Sequence, residues 1–305
     1  MEITGGLLLD KASGVTSHDL VDSVRRLLKT KKVGHTGTLD PFATGLMLLC
    51  IGRATKLTGY LSASSKEYVA RARLGVATDT QDVTGRAISL PVSTEGIGKG
   101  ELLQAIRSFV GRQKQLPPMY SAKKVGGKPL YKLARRGLDV ERHSVEIEVE
   151  ELQLLEYECF AVDGLQQATF SFKVVCSAGT YVRTLVHDIG QRLGCGAHLL
   201  ELRRTRIGSF SIKEALTLQQ VADAVLRREQ PVIAAVELLR GWPVVVLTDD
   251  ELRAVINGRS IDCKLEFGLG ELVALVDNDR CLIAVAEVTG SPRGRILRPR
   301  SLIGK

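Results

Sequence analysis

Segments with a two-residue apolar period and segments with a helical period are mixed along this chain without a regular strand–helix–strand alternation. That irregularity constrains the fold more than any composition figure does. Parallel α/β architectures need the alternation, so its lack predicts an α+β protein with a largely antiparallel main sheet. Residues 7–9 are a short apolar run, read as a buried strand. Thr16 followed three residues later by Asp19 has the form of a capping box, and Leu20, Val21, Val24, Leu27 and Leu28 continue at helical spacing. Residues 68–74, 146–155 and 168–175 alternate and predict strands. Leu102, Leu103, Ile106, Phe109 and Val110 predict a helix stopped by Gly111, and Leu185, Val186, Ile189 and Leu193 a second one closed by Gly194.

Two short helical stretches, 218–228 and 232–239, precede a change of pattern at Trp242-Pro243. Short strands over 244–247, 272–276 and 282–288 follow, separated by Gly, Asn and Asp. They predict a small all-β module of about sixty residues, near the lower size limit for independent folding. The expected domains are therefore 1–240 and 241–305.

The 305 residues are 44% hydrophobic and 25% charged, as in ordinary globular proteins, with a formal net charge of +8. The residues from Pro243 onward hold nine basic and nine acidic side chains, so the whole surplus lies in the first 242. A nucleic-acid partner fits that distribution. Six scattered cysteines form no C-x-x-C pair, and five have apolar or small neighbours, which predicts core thiols rather than disulfides or a zinc ribbon. No basic-then-apolar leader opens the chain, and runs such as 46–51 are too short to cross a bilayer. The expectation is a cytoplasmic protein with no membrane association.

Several chemistries lack their motifs. There is no G-x-G-x-x-G after a strand, no P-loop, no H-E-x-x-H and no G-x-S-x-G, and the five histidines show no ligand spacing. Gly126-Gly127-Lys128 is followed by Pro129 and lacks the hydroxyl that would hold Mg²⁺. No cofactor or metal is expected. One stretch does stand out by charge. Residues 112–143 contain Lys114, Lys123, Lys124, Lys128, Lys132, Arg135, Arg136 and Arg142 against Asp139 and Glu141, with Tyr120 and Tyr131 among them. Interleaved cations and aromatics around Gly126-Gly127 suit an RNA-gripping arm, and a solvated loop is the plainer alternative.

The densest cluster is Gly34-His35-Thr36-Gly37-Thr38-Leu39-Asp40-Pro41-Phe42-Ala43-Thr44-Gly45. Its simplest structural reading makes Asp40 the cap of a short helical turn, with Pro41 at the first position. Yet this stretch resembles the catalytic motif of the TruB-type tRNA pseudouridine synthases, and further likenesses follow in order. Gly6–Lys11 with Thr16-Ser17 resembles the family's opening strand and turn, Lys66-Glu67-Tyr68 its second motif, and 117–124 (PPMYSAKK) its RNA-gripping insertion. Residues 177–183 (SAGTYVR), 196–199 (GAHL) and 202–204 (LRR) resemble its later motifs. The likeness is collinear over about two thirds of the chain, from residue 6 to 208.

The resemblance implies an isomerase that breaks the N1–C1′ bond of a uridine, turns the uracil and joins C5 to C1′. No atom is gained or lost, which agrees with the lack of a cofactor motif. Glycosidases normally use two carboxyl groups. Uracil leaves as a delocalised anion, so one ionised carboxylate suffices, and the family pattern assigns it to Asp40. That carboxylate attacks C1′ or removes a sugar proton to give a glycal. By the same resemblance Arg183 pairs with Asp40, Tyr68 stacks on the uracil, Tyr181 supports the pocket and Leu202 forms its apolar wall. His35 fills the space vacated by the flipped base, and Lys11 and Lys66 support the site. Lys123, Lys124, Lys128, Arg135 and Arg136 grip the RNA.

The implied target is uridine 55 in the T loop of tRNA, modified without an obligatory protein partner and with an accompanying tRNA-folding role. Guide-RNA-dependent relatives, which need partners, are the nearest alternative, and the long basic insertion resembles the stand-alone branch. The C-terminal module resembles a PUA domain. Its last cations, Arg293, Arg295, Arg298, Arg300 and Lys305, are candidates for phosphate contact.

Overall fold

The computed structural model describes residues 3–121, 123–134, 136–138, 140–292 and 294–304, with the main chain alone at 124 and 125. Strands and helices are each numbered in chain order. The protein is α+β, and the chain divides into two units, 1–41 with 45–62 and 209–305, and 42–44 with 63–208.

In the first unit β1 (Gly5–Lys11) pairs antiparallel with β3 (Thr44–Ile51), from Gly5↔Ile51 to Lys11↔Gly45. Short β2 (Val33–His35) lies on the other side of β3, and β12 (Ile233–Ala234) on the other side of β1. Leu7, Leu9, Leu46, Met47, Leu49 and Ile51 are almost wholly buried, as the apolar runs predict. Helix α1 (Ser17–Leu27) starts with the expected capping box: Thr16 Oγ1 accepts the Asp19 N–H, and Asp19 accepts the Thr16 N–H. Helix α2 (Thr58–Ser62), short β11 (Phe210–Ser211) and α6 (Leu218–Leu226) complete this part. The second expected helical stretch, 232–239, is instead β12 followed by a 3-10 turn over Ala235–Leu239.

The C-terminal module is a five-stranded sheet in the order β13 (Val244–Val246), β15 (Leu272–Val276), β16 (Leu282–Ser291), β17 (Gly294–Leu302), β14 (Ile261–Asp262). Between β13 and β14 it adds helix α7 (Asp249–Ile256). The strand pattern does not predict that helix, yet Thr248 and Glu251 form its capping box. Its core is entirely apolar, including Val255, Val273, Leu275, Ala284, Ala286 and Leu297.

In the second unit the sheet order is β10 (Ala197–Ile207), β4 (Lys66–Leu74), β9 (Leu165–Cys176), β8 (Val145–Val162), β5 (Gly111–Gln115), antiparallel throughout. Helices α3 (Lys99–Arg107) and α5 (Val182–Arg192) belong to this unit. The helix predicted to run to Gly111 ends at Arg107, and Gly111 (φ 103°) opens β5 instead. The basic segment contains a small hairpin, β6 (Lys124–Val125) with β7 (Lys128–Pro129), turned by Gly126 and Gly127 at φ 56° and 79°. Helix α4 (Leu130–Ala134) follows and buries Leu130. Of the cysteines, Cys50, Cys176 and Cys195 are buried, while Cys159 and Cys281 are exposed and all six are free. Fewer are in the core than their neighbours suggest, because 159 lies near the turn end of the β8–β9 hairpin and 281 in the connection between β15 and β16.

Candidate active site

Asp40 sits in an irregular loop between β2 and β3, and no helix follows it. The capping explanation therefore fails: Asp40 has no helix to cap. Both of its neighbours are fastened. Ser17, buried in the first turn of α1, donates its hydroxyl to the Leu39 carbonyl at 3.0 Å and accepts the Leu39 N–H at 2.9 Å. On the other side, the Pro41 carbonyl accepts from Lys11 Nζ at 3.1 Å and from the Gly14 N–H at 2.9 Å. The Lys11 ammonium is fully buried, and Ala12 O also accepts from it at 3.0 Å. A buried cation bonded to main-chain carbonyls is a costly fastening that holds only while its partners stay in place. The half-buried Asp40 is thus fixed at both flanking peptides. His35 ends β2 opposite Leu49 and is also half-buried. Lys11, His35 and Asp40 all belong to the first unit.

The second unit carries the remaining predicted residues in two groups. The first lies on one face of the sheet. Successive pairings place Leu202 opposite Ala70, Arg204 opposite Tyr68, and Cys176 opposite Lys66. Directly paired residues share a face, and residues two apart along a strand do so too. Lys66, Tyr68, Leu202 and Arg204 therefore share one buried face, Arg204 at 1% exposure. Lys66 donates to the Ser64 carbonyl at 2.6 Å. Burial, and then the nearby Arg204 charge, pull its pKa down to about 8.

Arg183 anchors the other group, from the first turn of α5. A cation there opposes the positive end of the helix dipole and needs local compensation. Buried Asp82 supplies it at 3.3 Å, while the carbonyls of Thr80 (2.8 Å) and Tyr120 (2.9 Å) accept from the same guanidinium. Asp82 is itself fixed, accepting from the hydroxyls of Thr80 (2.7 Å) and Thr84 (2.6 Å) and from the Thr84 N–H (2.9 Å). Tyr181, half-buried, immediately precedes α5, and the Gln115 side chain bonds its main chain.

Ser17, Asp82, Gln115 and Arg204 were not among the sequence-derived candidates. Ser17 and Arg204 lie inside quoted motifs and were within reach. Asp82 and Gln115 carry no local signal. In the insertion, Lys128 and Arg136 are exposed and Lys123 is half-buried. Arg135 and the side chain of Lys124 lie outside the described residues, as do Arg293 and Lys305. Of the other C-terminal cations, Arg300 bonds Glu287 at 2.7 Å and Arg295 bonds the Phe267 carbonyl at 2.5 Å. Among the described residues no cluster of metal-ligating side chains occurs, and no helix is long and apolar enough to cross a membrane.

Residues 25–182 match the N-terminal domain of the TruB family pseudouridylate synthases, and 183–257 match the C-terminal domain of tRNA pseudouridylate synthase B. The tRNA pseudouridine synthase B of Bacillus velezensis is 40% identical over 309 residues, covering 99% of this chain and 98% of the relative. That of Geotalea uraniireducens is 44% identical over 256 residues, or 83% and 80% of the two chains. Among solved structures, a Cbf5-Nop10-Gar1 complex aligns with TM-score 0.73 at 25% identity, covering 98% of this chain and 84% of that one. An H/ACA RNP bound to a substrate RNA containing 2'-deoxyuridine aligns with TM-score 0.71 over the same shares. The chain belongs to the TruB family of pseudouridylate synthases and is an isomerase.

Proposed function

We propose that this enzyme converts uridine 55 in the T loop of tRNA to pseudouridine, unaided by another protein, with Asp40 as its nucleophile. The observation that carries this reading is the fastening of the Asp40 loop. Ser17 on one flank, and Lys11 with Gly14 on the other, hold a carboxylate-bearing loop that no helix follows. Fixing a reacting group in advance removes much of the entropy cost of reaching the transition state.

In the direct route the Asp40 carboxylate attacks C1′ and uracil leaves with the N1–C1′ electron pair. The anion turns, C5 attacks C1′, Asp40 is released, and the C5 proton is lost as N1 regains one. The glycal route begins with the same carboxylate removing a sugar proton. In both, Tyr68 stacks on the uracil and Leu202 keeps water from the sugar, where hydrolysis would lose the base. Tyr181 supports the pocket, Arg183 holds the anion ionised and aimed, and Lys66 supports them. His35 takes the place of the flipped base in the RNA.

The relatives named tRNA pseudouridine synthase B support tRNA as the substrate. Lys123, Lys124, Lys128, Arg135 and Arg136 would grip its backbone, and the 241–305 module would add a PUA-like RNA contact to the 1–240 catalytic domain. Accompanying tRNA folding fits the same grip. The test is the purified chain alone with tRNA labelled by tritium at uracil C5. One equivalent of tritium released per tRNA, without added protein or guide RNA, is the expected result. Release only after a partner is added would overturn the stand-alone reading.

A further inference from the structure

We propose that Gln115 is a positioning residue for this reaction, acting through the main chain of Tyr181. Gln115 ends β5 at 2% exposure, where an unsatisfied amide would be costly. Its Oε1 accepts the Tyr181 N–H at 2.8 Å, and its Nε2 donates to the Tyr181 carbonyl at 3.0 Å. The two bonds copy the pairing of an antiparallel bridge, made by a side chain on a residue 66 positions away.

Its target lies where direction is decided. Tyr181 precedes α5 with extended backbone (φ −96°, ψ 106°), and its own side chain makes no capping bond to that helix. The same Tyr181 carbonyl accepts the Leu185 N–H at 3.0 Å, the bond that opens the helix. Gln115 therefore sets the angle at which the Tyr181 ring leaves the chain, and the placement of the first turn that carries Arg183. The chain just beyond Gln115 reaches the same turn again, since the Tyr120 carbonyl accepts from Arg183 Nη2. Both of these Gln115 bonds go to the Tyr181 main chain, so its part in the reaction runs through Tyr181 and Arg183. The inference rests on the reading that Tyr181 and Arg183 serve the uridine site.

Gln115→Glu separates positioning from simple packing. Glutamate keeps the size and the acceptor. When ionised it offers the Tyr181 carbonyl no donor, and when protonated it donates again. Burial beside a carbonyl raises the pKa of such a carboxyl, so the change falls in an accessible pH range. The measurement is the single-turnover rate of pseudouridine formation, taken relative to the unsubstituted enzyme at each pH. We expect a deficit of roughly tenfold at about pH 8.5 that shrinks towards parity near about pH 6, with tRNA affinity within about twofold. Gln115→Leu, confirmed folded by its melting transition, loses both bonds and should show a deficit of at least about tenfold at every pH. Rates equal to the unsubstituted enzyme in both variants, or a Gln115→Glu deficit that does not change with pH, would overturn the inference. Tyr181→Ala and Arg183→Met run in parallel keep the two ideas apart. If those two retain full rate, the site reading fails; if they lose it while Gln115→Leu does not, the positioning role fails.

Discussion

Two sheets of this protein are similarly buried and are built on opposite principles. The β10–β4–β9 face hides Lys66 and Arg204 beside Tyr68 and Leu202, and the neighbouring α5 turn hides Arg183 against Asp82. The five-stranded sheet of the C-terminal module has an apolar core, and among the described residues none from 244 to 304 buries a charged or polar side chain. Its ion pairs stay outside, as with Arg253–Asp250 at 2.9 Å and Lys264–Glu251 at 2.7 Å. Taking charges out of water is expensive, and well-packed apolar replacements are often as stable. An interior that has only to fold can be made like the second, whatever its outer surface does. The first retains cations at a cost, which agrees with the proposal that this unit meets an anionic substrate.

The two interiors should differ most in their response to substitution at Arg183. Arg183→Met leaves Asp82 buried without its cation, so unfolding free energy from urea titration should fall by about 3–5 kcal/mol. Adding Asp82→Asn to Arg183→Met should restore part of that stability and none of the turnover. Recovery of both would mean that the pair serves folding alone. In the apolar sheet, Leu275→Ala should cost about 3 kcal/mol by the same titration, while the turnover of the folded fraction stays within about twofold.

A pH titration provides a smaller contrast. Burial pushes the Asp188 carboxyl up to about 6, from an ordinary value of 3.8. Between those values the folded state keeps a proton that the unfolded state has released, so this group's contribution is present below pH 3.8 and lost as pH rises through 6. Asp188→Asn should remove that decline and raise the melting temperature at neutral pH by about 2–4 °C. An unchanged melting profile from acid to neutral pH would show that Asp188 is solvated. The smallest effect belongs to the exposed pair: Arg253→Ala should shift the melting temperature by less than about 1 °C.

Legibility in the sequence follows the range of the interaction. The Thr16–Asp19 capping box and the alternation along β4 are local, and each is where the chain says it is. The capping box of α7 is equally local but is masked by the stronger strand signals around it. Strand β17 was hidden because Arg295, Pro299 and Arg300 blur its alternation. In the candidate site, the residue types and their order were visible through the family likeness. The fastenings were not. Ser17 reaches Leu39 across 22 residues and Gln115 reaches Tyr181 across 66, distances over which one sequence carries no spacing rule. Asp82 reads as one more turn residue in Thr80-Gln81-Asp82-Val83-Thr84 until its carboxylate meets Arg183.

Whether the fastened Asp40 carboxylate performs the isomerisation is decided by replacing it with its amide. The purified chain and its Asp40→Asn variant are incubated with unmodified tRNA transcript, and pseudouridine is mapped by carbodiimide labelling and primer extension. A single T-loop stop is expected with the unsubstituted enzyme and none with Asp40→Asn, although the variant still binds tRNA. Pseudouridine formed by Asp40→Asn at an undiminished rate would contradict it.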